Sequence, residues 1–170
     1  MEERKIEKIT SIFIGAVILI ISLLGTYEAH SFGIYPQCSL LGRMSYSFFH
    51  ANMIHAALNV WCLLSIVFIR NVSIWRLLLS YLIACSVPIE FINSLVGGCS
   101  APTVGLSGVV FALFASISFN VVKKFEYQAW MAFYILIGFL SPSVNAWLHL
   151  YCYIAGFILA LINKPITISD

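Results

Sequence analysis

One serine and one histidine, far apart in the chain, could together carry out nucleophilic catalysis. Ser107 lies between two glycines in the segment Gly105-Leu106-Ser107-Gly108, at the start of an apolar stretch, and His149 lies on a later one. A serine hydroxyl is a weak nucleophile until a base removes its proton, and histidine is the usual base near neutral pH. No acidic residue is placed to orient His149, so the pattern predicts a dyad. Taken alone, Ser107 could be a packing residue and His149 a hydrogen-bonded interior side chain.

Three polar residues in an earlier part of the chain could complete such a site. His55 and Asn59 are four residues apart, which places both on one face of a helix, and His50 precedes that helix. Attack on a peptide carbonyl creates an oxyanion that needs hydrogen-bond donors already in place. The Asn59 amide, a His55 imidazole N–H and the Ser107 backbone N–H are the candidate donors. Alternatively, His55 and Asn59 only bind carbonyl groups of neighbouring helices.

Composition places these residues in a membrane protein. Of 170 residues, 61% are hydrophobic and 9% are charged, and the mean hydropathy is +0.98. Soluble domains carry about 25% charged residues, and so few charges cannot cover a water-exposed surface. The lysines and arginines form no basic patch, which argues against a nucleic-acid partner. We therefore expect the lipid bilayer to be the chain's main partner.

Six apolar stretches predict an all-α membrane protein with six transmembrane helices in a single domain, residues 1–170. The stretches are 9–24, 52–69, 74–96, 104–121, 127–140 and 144–162. A span needs about 20 residues, and the shorter first and fifth stretches can still cross a bilayer that is thinned locally. The connection 25–49 is aromatic and has few charges, so we expect it to pack against the helices.

The basic residues predict the orientation of these spans, because lysine and arginine concentrate on the cytoplasmic side of membrane proteins. If the amino terminus is cytoplasmic, only Arg43 falls outside, and the others fall inside: Arg4, Lys5, Lys8, Arg70, Arg76, Lys123, Lys124 and Lys164. Both termini are therefore predicted to be cytoplasmic, in the inner membrane of a bacterium. The serine, the histidines of the motifs and the asparagine then share a depth toward the outer face.

Small residues predict which helices touch. They recur every four residues in two stretches, at Gly108, Ala112 and Ser116 and at Cys152, Gly156 and Ala160. Such stripes allow close backbone approach between membrane helices. If one stripe packs on the other, Ser107 and His149 come together at the same end.

Three other features have more than one interpretation. Cys38 and Cys99 lie in two outer loops and are a candidate disulfide, although the sequence does not supply the geometry. Glu90, near the outer end of the third span, is interpreted as a protonated or hydrogen-bonded structural residue. The histidines of the motifs could in principle ligate zinc, but no carboxylate or thiolate is expected at their depth. No metal or cofactor is predicted.

Together the motifs resemble those of the rhomboid intramembrane serine proteases. They are His50-x4-His55-x3-Asn59, Gly105-Leu106-Ser107-Gly108, and His149 followed by Gly156. In this order, on the second, fourth and sixth spans, the resemblance covers nearly the whole core. It implies that Ser107 is the nucleophile and His149 the general base. It assigns His55, Asn59 and the Ser107 backbone to the oxyanion hole, with His50, Gly105, Gly108, Phe111 and Gly156 in supporting roles.

The resemblance also implies hydrolysis of a peptide bond in a transmembrane or membrane-anchoring segment of a substrate protein. The substrate would enter beside the fifth helix, and no cofactor would be needed. The chain departs from the family where Cys152 replaces a glycine, Phe111 replaces a tyrosine that stacks on the histidine, and Arg43 is offset from a Trp-Arg pair. Its compact size also resembles the rhombosortase branch, which trims carboxy-terminal anchors. The alternative function is that of an inactive relative that binds transmembrane segments as a scaffold or chaperone.

Overall fold

The computed structural model describes residues 5–25, 27–70, 72–97 and 101–162. In these ranges the chain forms nine α-helices and one 3-10 turn, Tyr46–Phe48. The helices are α1 Lys5–Leu24, α2 Ala29–Phe32, α3 Leu40–Ser45, α4 Met53–Arg70, α5 Ile74–Cys85, α6 Ile89–Val96, α7 Ser107–Ser116, α8 Lys124–Phe139 and α9 Ala146–Ile162. The described ranges contain no strand, only an isolated β-bridge between Ile34 and Thr103. The prediction of an all-α chain is confirmed.

Length and hydropathy support two or three of the six predicted spans. The helices α1 and α4 are long and apolar enough to cross a bilayer, and α5 with α6 qualifies as a third if the two form one bent span. The helices α7 and α9 are apolar but shorter. The count of six therefore stays a prediction. Arg4 and Lys164, used in the orientation argument, and Cys99 lie outside the described residues.

The third predicted span, 74–96, is broken into two helices. The helix α5 ends at Cys85, α6 begins at Ile89, and the two are bent by 48°. Pro88 stands immediately before α6. Its ring fixes the backbone dihedral, and it has no N–H for a continuous helical ladder.

The fourth predicted span, 104–121, is also shorter than expected, because α7 covers only Ser107–Ser116. At its start, Gly105 has a φ of +136°, which a helix cannot contain. At its end, side-chain hydroxyls donate hydrogen bonds to two of the last backbone carbonyls of α7. Ser116 donates its hydroxyl to the Leu113 carbonyl at 2.8 Å, and Tyr127 donates to the Phe114 carbonyl at 2.8 Å.

The helix α7 lies at the centre of the bundle. It packs against α4, α5 and α9, while α1 packs on α4 and α8 packs on α9. Most of its residues are buried: Gly108, Val109, Val110, Ala112, Leu113, Ala115 and Ser116. A helix that is apolar on all sides is typical of one surrounded by other helices. This position lets α7 present its first residue, Ser107, to several neighbours at once.

The helices α7 and α9 meet at the predicted small residues. A Cβ atom at Gly156 would lie 2.3 Å from the Ala112 carbonyl oxygen. A Cβ atom at Gly108 would lie 3.3 Å from the Cys152 sulfur. Ala160, at the end of the second stripe, is buried as well. The two backbones therefore approach as closely as the stripes allow, with no side chain between them at Gly156.

The connection 25–49 packs against the helices at the Ser107 end, as expected from its composition. Tyr46 is fully buried and donates its hydroxyl to the Ala84 carbonyl at 3.0 Å. Its own carbonyl accepts the Gly105 N–H at 2.9 Å. Ile34 and Thr103 exchange two backbone hydrogen bonds of 2.9 Å. The connection therefore joins α5 to the segment that precedes Ser107.

An ion pair holds the other side of this connection. One guanidinium nitrogen of Arg43 lies 2.5 and 2.6 Å from the carboxylate oxygens of Glu90, and the other donates to the Val87 carbonyl at 2.9 Å. Glu90 also accepts the Gln37 N–H at 3.3 Å. The hydrogen bond with Glu90 raises the pKa of Arg43. Of the two interpretations of Glu90, the structure shows the hydrogen-bonded one, in which the residue holds α3 at the α5–α6 bend.

Gly156→Ala should lower the free energy of unfolding by about 1–3 kcal/mol, because the added methyl group forces α7 and α9 apart. Denaturant unfolding of the purified protein in micelles measures the change. Ile158→Phe is the control, since it adds bulk to an exposed position of the same helix and should change stability by about 0.5 kcal/mol or less. Equal stability of Gly156→Ala and wild type would show that the bundle does not depend on this approach.

Arg43 and Glu90 should be coupled in a double-mutant cycle. Arg43→Gln and Glu90→Gln should each destabilise the protein, and the double variant should lose about 1 kcal/mol less than their sum, since each single change leaves one partner unpaired. The side chains are 22% and 49% exposed, so high salt should reduce the coupling. Strictly additive losses would mean that Arg43 acts through the Val87 carbonyl alone.

Candidate active site

Ser107 and His149 meet at one end of the bundle. The His149 Nε2 atom lies 2.7 Å from the Ser107 Oγ atom, which is hydrogen-bonding distance. Ser107 is the first residue of α7, and His149 lies about one turn into α9. Both residues are half-buried. The close packing of the two helices therefore brings a hydroxyl and an imidazole together at this end of the bundle.

An aromatic ring fixes the plane of the His149 imidazole. Phe111 lies one turn after Ser107 on the same face of α7. Its ring stacks on the imidazole with a centroid distance of 4.4 Å and an interplanar angle of 19°. In a Ser-His-Asp triad a carboxylate orients the histidine. Here the Phe111 ring supplies the orienting contact. This contact was expected from the resemblance, in which the residue at position 111 stacks on the histidine.

Two hydrogen bonds fix the backbone just before α7. The Gly105 N–H donates to the Tyr46 carbonyl at 2.9 Å, and the Leu106 N–H donates to the His50 Nε2 atom at 3.1 Å. The φ of Gly105, +136°, favours glycine. A Cβ atom there would also lie 2.9 Å from a ring carbon of His55. Glycine is therefore required at position 105 on two independent grounds.

His50 accepts this hydrogen bond because its ring is neutral. Burial lowers the pKa of His50 to about 4, and the neighbouring His55 ring contributes to the shift. The two rings are arranged edge to face, with centroids 5.0 Å apart. An unprotonated Nε2 atom is the form that can accept the Leu106 N–H. Through this hydrogen bond, His50 supports the segment before Ser107.

The candidate oxyanion donors lie on α4 and at the start of α7. The His55 imidazole lies against the Gly105 backbone. Asn59 is buried, and its amide nitrogen donates to the His55 carbonyl of its own helix at 2.9 Å. An amide group has two N–H donors, so one is left over. The Ser107 N–H belongs to the first turn of a helix, where no intrahelical carbonyl is available to it.

A second cross-link near the dyad was not anticipated from the sequence. Asn145 accepts the Leu148 N–H at 3.0 Å, as a residue that caps α9, and donates its amide to the Thr103 hydroxyl at 3.0 Å. This joins the start of α9 to the segment before α7, about one turn from the Ser107–His149 contact. Asparagine just before an apolar helical stretch is a favoured cap, so the capping half of this arrangement had a signal in the sequence.

A cavity of about 750 Å³ lies beside these residues, within the range of known ligand sites. Its polar lining consists of Asn52, His55, Thr103, Ser141, Ser143 and Asn145. Its apolar lining includes Ile54 and Leu58 of α4, Phe139 of α8 and Trp147 of α9. The cavity can therefore offer both water and an apolar surface to a segment that lies between α4 and α8.

The remaining predictions concern a metal site and a disulfide. No group of three or more histidine, cysteine, aspartate or glutamate side chains in those ranges could hold a metal ion. Cys38 is half-buried. Because Cys99 lies outside the described residues, a disulfide between the two stays a prediction.

Comparison with known proteins identifies the family of the chain. No curated protein matches the chain. The family described as the rhomboid domain matches residues 37–165, which is most of the chain and includes Ser107 and His149. Rhomboid proteins are integral membrane proteins that act on transmembrane substrates in the bilayer. The chain belongs to the rhomboid family.

Proposed function

We propose that the chain is an intramembrane serine endopeptidase that cleaves transmembrane or membrane-anchoring segments of substrate proteins. The observation that carries the proposal is the 2.7 Å contact between the Ser107 hydroxyl and the His149 imidazole. Members of the rhomboid family are generally serine proteases of this kind. The proposal covers internal transmembrane segments and also the carboxy-terminal anchors that the rhombosortase branch trims.

In the proposed reaction the Ser107 hydroxyl attacks the substrate carbonyl while His149 takes its proton. The oxyanion that forms accepts hydrogen bonds from the Ser107 N–H, the second amide N–H of Asn59 and the His55 imidazole. The peptide C–N bond then breaks, and His149 gives its proton to the leaving amine. A water molecule, deprotonated by His149, hydrolyses the acyl ester and restores the serine.

The cavity between α4 and α8 supports substrate entry beside α8. The first turn of α8 is held by Tyr127, which bonds the Phe114 carbonyl, and by Gln128, which accepts the Tyr153 hydroxyl at 2.5 Å. Near its other end, Leu136 is 64% exposed. A transmembrane segment has apolar side chains and a fully hydrogen-bonded backbone. The apolar lining suits the side chains, and the polar lining suits a backbone that unwinds for cleavage.

The charges support an orientation with both termini in the cytoplasm and the dyad toward the outer face. The amino end of α1 lies beside the end of α4, since Lys8 stacks over the Phe68 ring at 5.3 Å. Arg70 and Lys123 line one cavity at that end. The dyad lies at the opposite end, where α7 and α9 begin. Lysine and arginine favour the cytoplasmic side.

A non-catalytic scaffold or chaperone is the second candidate. Such a protein would need the cavity and the apolar surface of α8. It would not need an imidazole in hydrogen-bonding contact with a serine hydroxyl and stacked on Phe111. The geometry therefore favours the enzyme.

Ser107→Ala and His149→Ala should each lower cleavage of a transmembrane test substrate by at least about 10³-fold, because the nucleophile or its base is lost. A fluorophosphonate probe should label wild type at Ser107 and leave Ser107→Ala unlabelled. Ser116→Ala is the matched control, since it removes a hydroxyl of the same helix that only bonds the Leu113 carbonyl. Wild-type cleavage by either dyad variant would refute the proposal.

Asn59→Ala should lower kcat by about 10²–10³, which is the usual effect of removing one oxyanion donor. Stability should fall by about 1 kcal/mol or less, because the amide bonds only a carbonyl of its own helix. Leu58→Ala, the neighbouring change in the cavity lining, should alter KM more than kcat. A large loss of stability with unchanged kcat would assign Asn59 a purely structural role.

A further inference from the structure

A second cavity, of about 320 Å³, lies at the end of the bundle opposite Ser107. Arg70 at the end of α4 forms one side. The segment before α8 and its first turns form the other, with Val121, Val122, Lys123, Glu126, Tyr127 and Trp130. The volume is at the lower end of the range for cavities that hold small ligands, about 300–1,000 Å³. Proteolysis at Ser107 makes no use of this cavity.

We propose that this cavity binds the phosphate headgroup of an anionic glycerophospholipid. Two of its lining residues, Arg70 and Lys123, are cations, and Lys124 follows directly. Arg70 is exposed, and it has no hydrogen-bond or ion-pair partner among the described residues. A guanidinium group can donate two parallel hydrogen bonds to phosphate oxygens. Arg70 is therefore placed to bind an anion that the described residues do not supply.

Lys123 can exchange its present partner for such an anion. Its ammonium group lies 2.8 Å from a carboxylate oxygen of Glu126, and the two side chains are 75% and 55% exposed. Exposed pairs of this kind are weak, because water and salt screen both charges. A phosphate can displace Glu126 from Lys123. Two cations against one carboxylate leave the lining net positive, which favours an anionic ligand.

The surroundings of the cavity suit a lipid better than a free phosphate ion. Val122 and Phe125 are both 94% exposed, and Trp130 is 53% exposed. Tryptophan is typical of the boundary between hydrocarbon and headgroups, and exposed apolar side chains of a membrane protein contact the acyl chains. Tyr127 is not available as a donor, because its hydroxyl bonds the Phe114 carbonyl. The cations match the phosphate headgroup of a phospholipid, and the apolar side chains beside them match its acyl chains.

Binding of phosphatidylglycerol to the delipidated full chain in micelles, followed by native mass spectrometry, tests the proposal. Arg70→Gln and Lys123→Gln should each weaken binding about fivefold, as expected for the loss of one cation at a membrane surface. Glu126→Gln should tighten binding by a similar factor, a gain that a misfolded variant cannot show. Lys5→Gln is the matched control, because it removes a cation at the same end of the bundle but outside the cavity lining.

Three results would overturn the proposal. Equal weakening by Lys5→Gln would mean that the whole charged end attracts lipid without a site. Binding of phosphatidylcholine as tight as that of phosphatidylglycerol would show that the net negative charge of the lipid plays no role. Binding of glycerol 3-phosphate as tight as that of phosphatidylglycerol would identify a soluble phosphate ligand. Ser107→Ala should bind the lipid like wild type, so the result does not depend on proteolytic activity.

Discussion

The contact between the backbones of α7 and α9 is the constraint on which the rest of the structure depends. At Gly156 there is room for a hydrogen atom but not for a methyl group, since the Ala112 carbonyl oxygen would lie 2.3 Å from a Cβ atom. Lipid surrounds the bundle as a whole, so burial of apolar surface does little to bring α7 and α9 together, and close van der Waals packing must do so. The same approach sets the distance between Ser107 and His149. Proton transfer needs that distance within hydrogen-bonding reach.

Polar groups in an apolar bundle are costly unless they are paired. The connection 25–49 and the residues that follow it supply many of the pairs around the dyad. The Tyr46 carbonyl and the His50 ring accept hydrogen bonds from the two backbone N–H groups that precede α7. Asn145 links Thr103 to the start of α9. The segment that carries Ser107 is thus held from two directions. A serine on a segment held in this way keeps a fixed position relative to His149.

Irregular backbone in a membrane protein is tolerated where protein or a water-filled cavity surrounds it. In this chain irregular backbone of this kind is found at the Ser107 end of the bundle. The bend at Pro88 shortens α6, and the late start of α7 leaves residues 101–106 without helical structure. Thr103 and Val104 then line the cavity that reaches His55. The irregular segment therefore forms part of the lining of that cavity.

Local patterns were sufficient to predict the helical class, the membrane environment, the family and the helix pair that meets at the dyad. Hydropathy depends on composition, and small residues at every fourth position define a helix face whatever lies beyond it. The break in the third span also had a local cause in Pro88, which the hydropathy pattern alone did not show. The number of spans is set by how short helices tilt and bend, and length alone does not decide it.

Other contacts were decided only by the tertiary structure. The partner of Glu90 is Arg43, the partner of His50 is the Leu106 N–H, and the Asn59 amide bonds its own helix. The Arg43–Glu90 and His50–Leu106 contacts join residues far apart in the chain. Several acceptors are open to the Asn59 amide, and the His55 carbonyl is one of them. No periodicity relates such groups, because their distances follow from how the helices and the connection pack as a whole. The sequence by itself determined which residues are available for chemistry, and packing determined which atoms of those residues face one another.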